Sequence, residues 1–275
     1  MAFIRSLTAA RIEKMQSGDN ERQFKLLKDD VLAGEVFPAI RANELHFYYK
    51  GGRLYKFNGT YSRDGNYKFY SEGTEGLSDY GKAKKENENK FTNKKGGITE
   101  RRLLDKLYCH TYGTNLKSRV VVLDIEVSLK GKTGGGKKCD LVLLNTQTDE
   151  LMFVEGKVYS DTRVRCKVGY LPEVIGQVDI YTAAIREQRQ NILAQYVEYI
   201  RIINGLFGTS YRAPQKLIEP AKLLVYGTGG GRPQNIGYTI QTINQKLGAG
   251  NVMWVREGEP TTDEIWNALC GGVCR

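Results

Sequence analysis

Residues 138–159 read Lys-Cys-Asp-Leu-Val-Leu-Leu-Asn-Thr-Gln-Thr-Asp-Glu-Leu-Met-Phe-Val-Glu-Gly-Lys-Val-Tyr, and they restrict the fold more than any other stretch. Two strand-length apolar runs, 141–144 and 151–154, flank the polar segment 145–150, a pattern that predicts two paired strands and a turn. Asp140 stands at the mouth of the first strand, and Glu155 and Lys157 lie near the end of the second. Alternate strand residues point the same way, so Glu155 and Lys157 share a face. Pairing the strands carries Asp140 toward both. Two carboxylates and one ammonium then crowd one end of a sheet, a costly arrangement that a divalent cation between the acids relieves.

Such a group has a chemistry. Hard carboxylate oxygens suit Mg²⁺ or Mn²⁺, and Mg²⁺ takes one or two carboxylates together with waters and a phosphate. A bound ion acidifies water and neutralises charge on a phosphate. Lys157 is placed to hold an attacking water or to contact the phosphate as a point charge. The plain alternative is a solvated surface pair, since acid and lysine two positions apart are common on half-exposed strands. Asp140 at hairpin distance is what gives Glu155-Gly156-Lys157 its weight.

The chain has 275 residues, 40% of them hydrophobic, enough for one large domain or two small ones with a substantial core. No apolar stretch is long enough to span a membrane, and the first residues lack the apolar core of a secretion signal, so a cytoplasmic protein without membrane contact is expected. Five cysteines, an odd number, argue against a disulfide framework; Cys109, Cys139 and Cys166 are expected as buried thiols. Cys270 and Cys274 have no second Cys/His pair beside them, and the only histidines are His46 and His110, which disfavours a zinc site or a His-dependent nucleophile. Lys+Arg 41 against Asp+Glu 31 leaves a net charge of +10, which suits a polyanionic partner.

Along the chain, 6–33 predicts helix with a break at 17–20, ended by Gly34. Residues 45–50 and 53–57 predict an aromatic-rich hairpin about a Gly51-Gly52 turn, with 67–70 as another strand. His46 is expected on a strand face. The lysine-rich 82–97 predicts a basic loop or linker. Thr99 is a candidate N-cap for a helix with Leu103, Leu104, Leu107 and Tyr108 on one side. Residues 120–129 predict a strand, and the Gly-rich 130–138 lacks phosphate-loop spacing and reads as a hairpin turn. A long helical pattern follows Pro172, as one or two helices broken by Gly205; then come a strand over 221–226, a loop over 227–233, a helix over 240–247 and a strand over 251–255. The order is that of an α/β sandwich with a mixed sheet.

Asp140 followed by Glu155-Gly156-Lys157 on the next strand resembles the signature of the PD-(D/E)XK nucleases, the superfamily of restriction-endonuclease-like folds, junction resolvases and RecB-type nuclease domains. Gln177 and Tyr181, four apart on the following helix and so on one face, resemble the Gln-x3-Tyr element of RecB-like members. The resemblance covers about 98–256. It departs from the family pattern at Cys139, where proline is common, and at Gly156, unusual inside a strand.

The resemblance implies a restriction-endonuclease-like α/β/α core with a mixed central sheet over 98–275, and an accessory N-terminal extension with helix, hairpin and basic loop over 1–97. It implies Mg²⁺ held by Asp140, Glu155 and the Gly156 carbonyl, a water oriented by Lys157, and support from Gln177 and Tyr181. An acid on the first core helix often backs the metal in this family; Glu100 is the candidate, with Glu126 its competitor. The implied activity is metal-dependent cleavage of DNA, as endo- or exonuclease and with RNA an open alternative, by a homodimer or a larger defence or repair complex. The alternative is a non-catalytic nucleic-acid-binding or assembly subunit that kept the fold.

Overall fold

In the computed structural model of the chain the described residues are 3–62, 75–91, 100–108, 111–112, 118–129, 138–166, 169–227 and 236–270. The expected strand at 67–70, the Thr99 cap, most of the Gly-rich tract, most of the 227–233 loop, Cys109, His110 and Cys274 lie outside them. The chain packs as two compact units, one of Ile4–Lys117 and Gln195–Ala213, the other of Met1–Phe3, Ser118–Ala194 and Pro214–Arg275. Glu100–Tyr108, expected with the second domain, fall in the first unit.

The first unit begins with α1 (Ala9–Met15), capped by the Thr8 hydroxyl, which accepts from Arg11 N. After the expected break comes α2 (Asp19–Leu32). It closes as foreseen at Gly34: with φ at 76°, the Gly34 N–H reaches the Val31 carbonyl and the Glu35 N–H the Asp30 carbonyl, a Schellman closure. Strands β1 (Phe37–Arg41), β2 (Glu44–Tyr49), β3 (Gly52–Phe57) and β4 (Tyr61–Ser62) form an antiparallel sheet in that order.

The hairpin turn sits one residue earlier than expected. Tyr49 pairs with Gly52, and Lys50 and Gly51 take the two positive-φ positions at 51° and 84°. Gly51 is needed where it is, because a Cβ there would stand 2.9 Å from Arg101 Cβ while the Gly51 N–H donates to Asp105 Oδ1 at 2.9 Å. Both partners lie on α4 (Glu100–Tyr108).

The basic linker expected over 82–97 is corrected as far as Phe91. Residues Glu75–Phe91 form α3. Lysine, glutamate and alanine favour helix, and Tyr80, Ala83 and Asn87, spaced along one face, are buried. Asn87 donates to the Gly52 carbonyl at 3.1 Å, Tyr80 stacks on Tyr55, and Lys84 meets Asp30 and Glu35.

In the second unit β5 (Val120–Ser128), β6 (Lys138–Asn145) and β7 (Glu150–Val158) form an antiparallel meander. Helix α5 (Glu173–Phe207) leads to β8 (Lys216–Tyr226), parallel to β7, and α6 (Ile236–Leu247) leads to β9 (Val252–Val255), parallel to β8. The sheet is therefore mixed, in the order β5-β6-β7-β8-β9, and the fold is α/β. Helix α7 (Thr262–Leu269), not foreseen, opens on a Thr261–Glu264 capping box and buries Ile265, Trp266 and Leu269.

Three boundaries differ from expectation. Helix α5 is single; Gly205 stays helical, and Gly208, with φ at 71°, ends it. The roughly 1 kcal/mol that glycine costs inside a helix is outweighed by burial of the next two residues, Leu206 and Phe207. Strand β8 begins before Pro220, because the ladder with β7 bulges between Ile218 and Lys222 and needs no proline N–H there. Helix α6 starts four residues early, at Ile236.

Candidate active site

The antiparallel pairing of β6 and β7 sets the start of one strand beside the end of the other. The ladder runs to Leu141 opposite Val154. One step further the Asp140 side chain takes over, and its Oδ2 accepts from the Gly156 N–H at 2.9 Å. Glycine inside a strand thus marks a carboxylate lying against the backbone.

The Lys157 ammonium is the centre of the group. Its Nζ stands 2.5 Å from Glu155 Oε1, 2.7 Å from the Gly156 carbonyl oxygen and 3.7 Å from Asp140 Oδ2. The Lys157 and Glu155 side chains are only 2% and 1% exposed, whereas Asp140 retains 21%, so the group meets solvent through Asp140. Burial pushes the Asp140 carboxyl above its ordinary range, with Glu126 adding to the rise, while Lys157, the Gly156 N–H and Glu155 pull it back.

Helix α5 supplies the second layer. Gln177 Nε2 donates to Glu155 Oε1 at 2.5 Å and to the Tyr181 hydroxyl at 2.8 Å. That hydroxyl donates to the Lys138 carbonyl at 2.7 Å, tying α5 to the first residue of β6. Burial, with Glu155 nearby, pushes the Tyr181 phenol above its ordinary value, so it stays a neutral donor. Cys139 is a buried free thiol, held protonated by burial and by the charges of Glu155 and Asp140.

The residues foreseen from sequence therefore divide. Asp140, Glu155, Gly156, Lys157, Gln177 and Tyr181 come together. Glu100 opens α4 in the other compact unit. Its competitor Glu126 lies on β5 between Ile125 and Val127, the partners of Leu141 and Cys139, which sets it across from Asp140. Its backbone is left-handed, with φ at 47°, a strained setting of the kind found at functional sites. Lys138, missed in the sequence, pairs with Glu126 at 3.3 Å. Its place beside Asp140 at the start of a strand was the available signal. His46 lies on β2, as expected, against Glu44.

No family model, no curated protein and no solved structure matches this chain. Among the described residues, no three His, Cys, Asp or Glu side chains gather into a metal-binding group, and no helix is long and apolar enough to cross a membrane. What the site does show is three oxygens, from Asp140, Glu155 and Gly156, converging on one cation, the chain's own ammonium.

Proposed function

We propose that this protein is a divalent-metal-dependent nuclease of the PD-(D/E)XK type with a restriction-endonuclease-like core, and that DNA is its substrate. One observation carries the reading: the Asp140, Glu155 and Gly156 oxygens surround a single cation position where the start of the interior strand β6 lies beside the end of β7. Two carboxylates and a carbonyl are a hard oxygen set of the kind Mg²⁺ and Mn²⁺ accept. When bound there, the ion supplies Lewis acidity and an acidified water. The meander followed by a helix and a parallel strand is the order the family implies, and the net charge of +10 suits a phosphate polyanion.

The chain's own groups have definite parts. Asp140 and Glu155 would hold the ion. Lys157, released from the position it fills, orients the attacking water and faces the phosphate. Gln177 fixes the Glu155 carboxylate, and Tyr181 fixes Gln177. Hydrolysis consumes one water, breaks one P–O bond and leaves a phosphomonoester and a hydroxyl.

The ammonium in the cation position favours a second reading: Lys157 neutralises the acids permanently, and the protein binds nucleic acid without cutting it. Incubating supercoiled, linear and single-stranded DNA, and RNA, with Mg²⁺ or Mn²⁺ separates the two. Metal-dependent cleavage that vanishes in Asp140→Ala and Lys157→Ala supports the nuclease. Salt-sensitive binding without cleavage supports the second reading.

A further inference from the structure

Tyr170, Leu171 and Tyr238 are 75%, 57% and 46% exposed, the most exposed large apolar side chains among the described residues. All three belong to the second unit, at the end of the sheet where β7 and β8 finish. Residues 159–166 follow the end of β7 at Val158, and residues 169–172 lead into α5, which carries Gln177. The Cys166 N–H donates to Thr239 Oγ1 at 3.2 Å, bringing the first turns of α6 to the same segment. Tyr238 adjoins Thr239, and the Tyr170 carbonyl accepts from Cys166 Sγ at 3.2 Å, so Cys166 links the backbone at Tyr170 to the first turn of α6 that carries Tyr238.

The chain on both sides of Cys166 is pinned. The Val174 N–H bonds the Arg163 carbonyl at 3.1 Å, and the Tyr159 N–H bonds the Tyr226 carbonyl at 2.8 Å. Arg165, exposed just before Cys166, donates to the Tyr159 and Ser160 carbonyls and meets no carboxylate among the described residues. Two exposed tyrosines and an exposed guanidinium at this end of the sheet are groups that stack bases and attract phosphate.

We infer that this surface is a stacking platform for the unpaired bases of a single-stranded nucleic acid, and that it delivers such a strand to the Asp140–Lys157 end of the sheet. In a duplex the base faces are covered by their neighbours, so exposed tyrosines find nothing to stack on; an unpaired strand presents every face. The inference rests on reading that end as a phosphodiester-cleaving site, and it narrows the substrate to single strands or single-stranded ends.

The test is fluorescence anisotropy with labelled single-stranded DNA, single-stranded RNA and blunt duplex DNA of equal length, in Ca²⁺. The proteins compared are the full chain, Tyr170→Ala/Tyr238→Ala and Tyr170→Phe/Tyr238→Phe. The full chain is expected to prefer a single strand. The alanine pair should weaken single-strand binding by about tenfold per tyrosine, far more than duplex binding, and the phenylalanine pair should restore it. Equal affinity for duplex and single strand, or no single-strand loss in the alanine pair, overturns the platform. So does failure to bind any oligonucleotide. A parallel cleavage assay with Asp140→Ala reports on the nuclease reading alone. Duplex cutting that the alanine pair leaves intact removes the platform but keeps the nuclease; loss of single-strand binding without any cleavage does the reverse.

Discussion

The Lys157 ammonium lies 2.5 Å from Glu155 Oε1 on the same strand, with both side chains almost wholly buried. An ion pair this deep is sound only as a matched set, because removing one partner strands the other charge in low dielectric.

Lys157→Met is therefore expected to lower unfolding stability by about 3–5 kcal/mol, and Glu155→Gln alone by a comparable amount. The double variant should recover much of the loss. Urea denaturation of the four proteins gives the coupling directly; simple additivity would show that the two groups do not sense each other.

Metal binding should follow the oxygens. Titration calorimetry with Mn²⁺ is expected to show one site in the intact protein and none in Asp140→Ala/Glu155→Ala. Gln177 bonds the ligand oxygen Glu155 Oε1 without being a ligand itself, so Gln177→Ala should weaken affinity by about 10–100-fold and not abolish it. Unchanged Mn²⁺ affinity in the double variant would move the ion elsewhere.

Asp140 gives the metal-free protein a distinctive pH response. Its carboxyl titrates above the ordinary range when folded, so the folded state holds a proton that the unfolded state has already released. Stability from this group is complete below about pH 3.9, the usual aspartate value, and is lost as pH rises through the raised folded value. Urea midpoints between about pH 4 and 7 should fall less steeply with rising pH in Asp140→Asn than in the intact chain.

His46 works in the opposite direction. Burial lowers its pKa from 6.5 to about 4, against the partial support of Glu44. The folded state keeps the ring neutral, so its contribution is present above pH 6.5 and is lost as pH falls toward about 4. His46→Gln should flatten the acid side of the stability profile; an unchanged profile would mean that the ring is protonated in the fold.

Much of the candidate site was legible in the chain, because a strand hairpin is local. Apolar runs either side of 145–150 determine a pairing, and pairing alone brings Asp140 to Glu155 and Lys157. Helical spacing likewise puts Gln177 and Tyr181 on one face. The boundaries of α2 and the mixed α/β order follow from apolar periodicity and Gly34 in the same way.

What the sequence could not decide depends on surfaces far apart along the chain. Lysine-rich α3 reads as linker until β2 and β3 offer Tyr80, Ala83 and Asn87 somewhere to bury. Gly205 reads as a breaker until burial of Leu206 and Phe207 outweighs it. Glu100 and Glu126 are equal candidates on paper; only the β5–β6 register sets Glu126 across from Asp140, while Glu100 packs in the other unit. Local alternation supplied the charged groups and their faces. Which acid joined them, and which cation now stands between them, was settled by long-range pairing and burial, whose energies no short window of sequence contains.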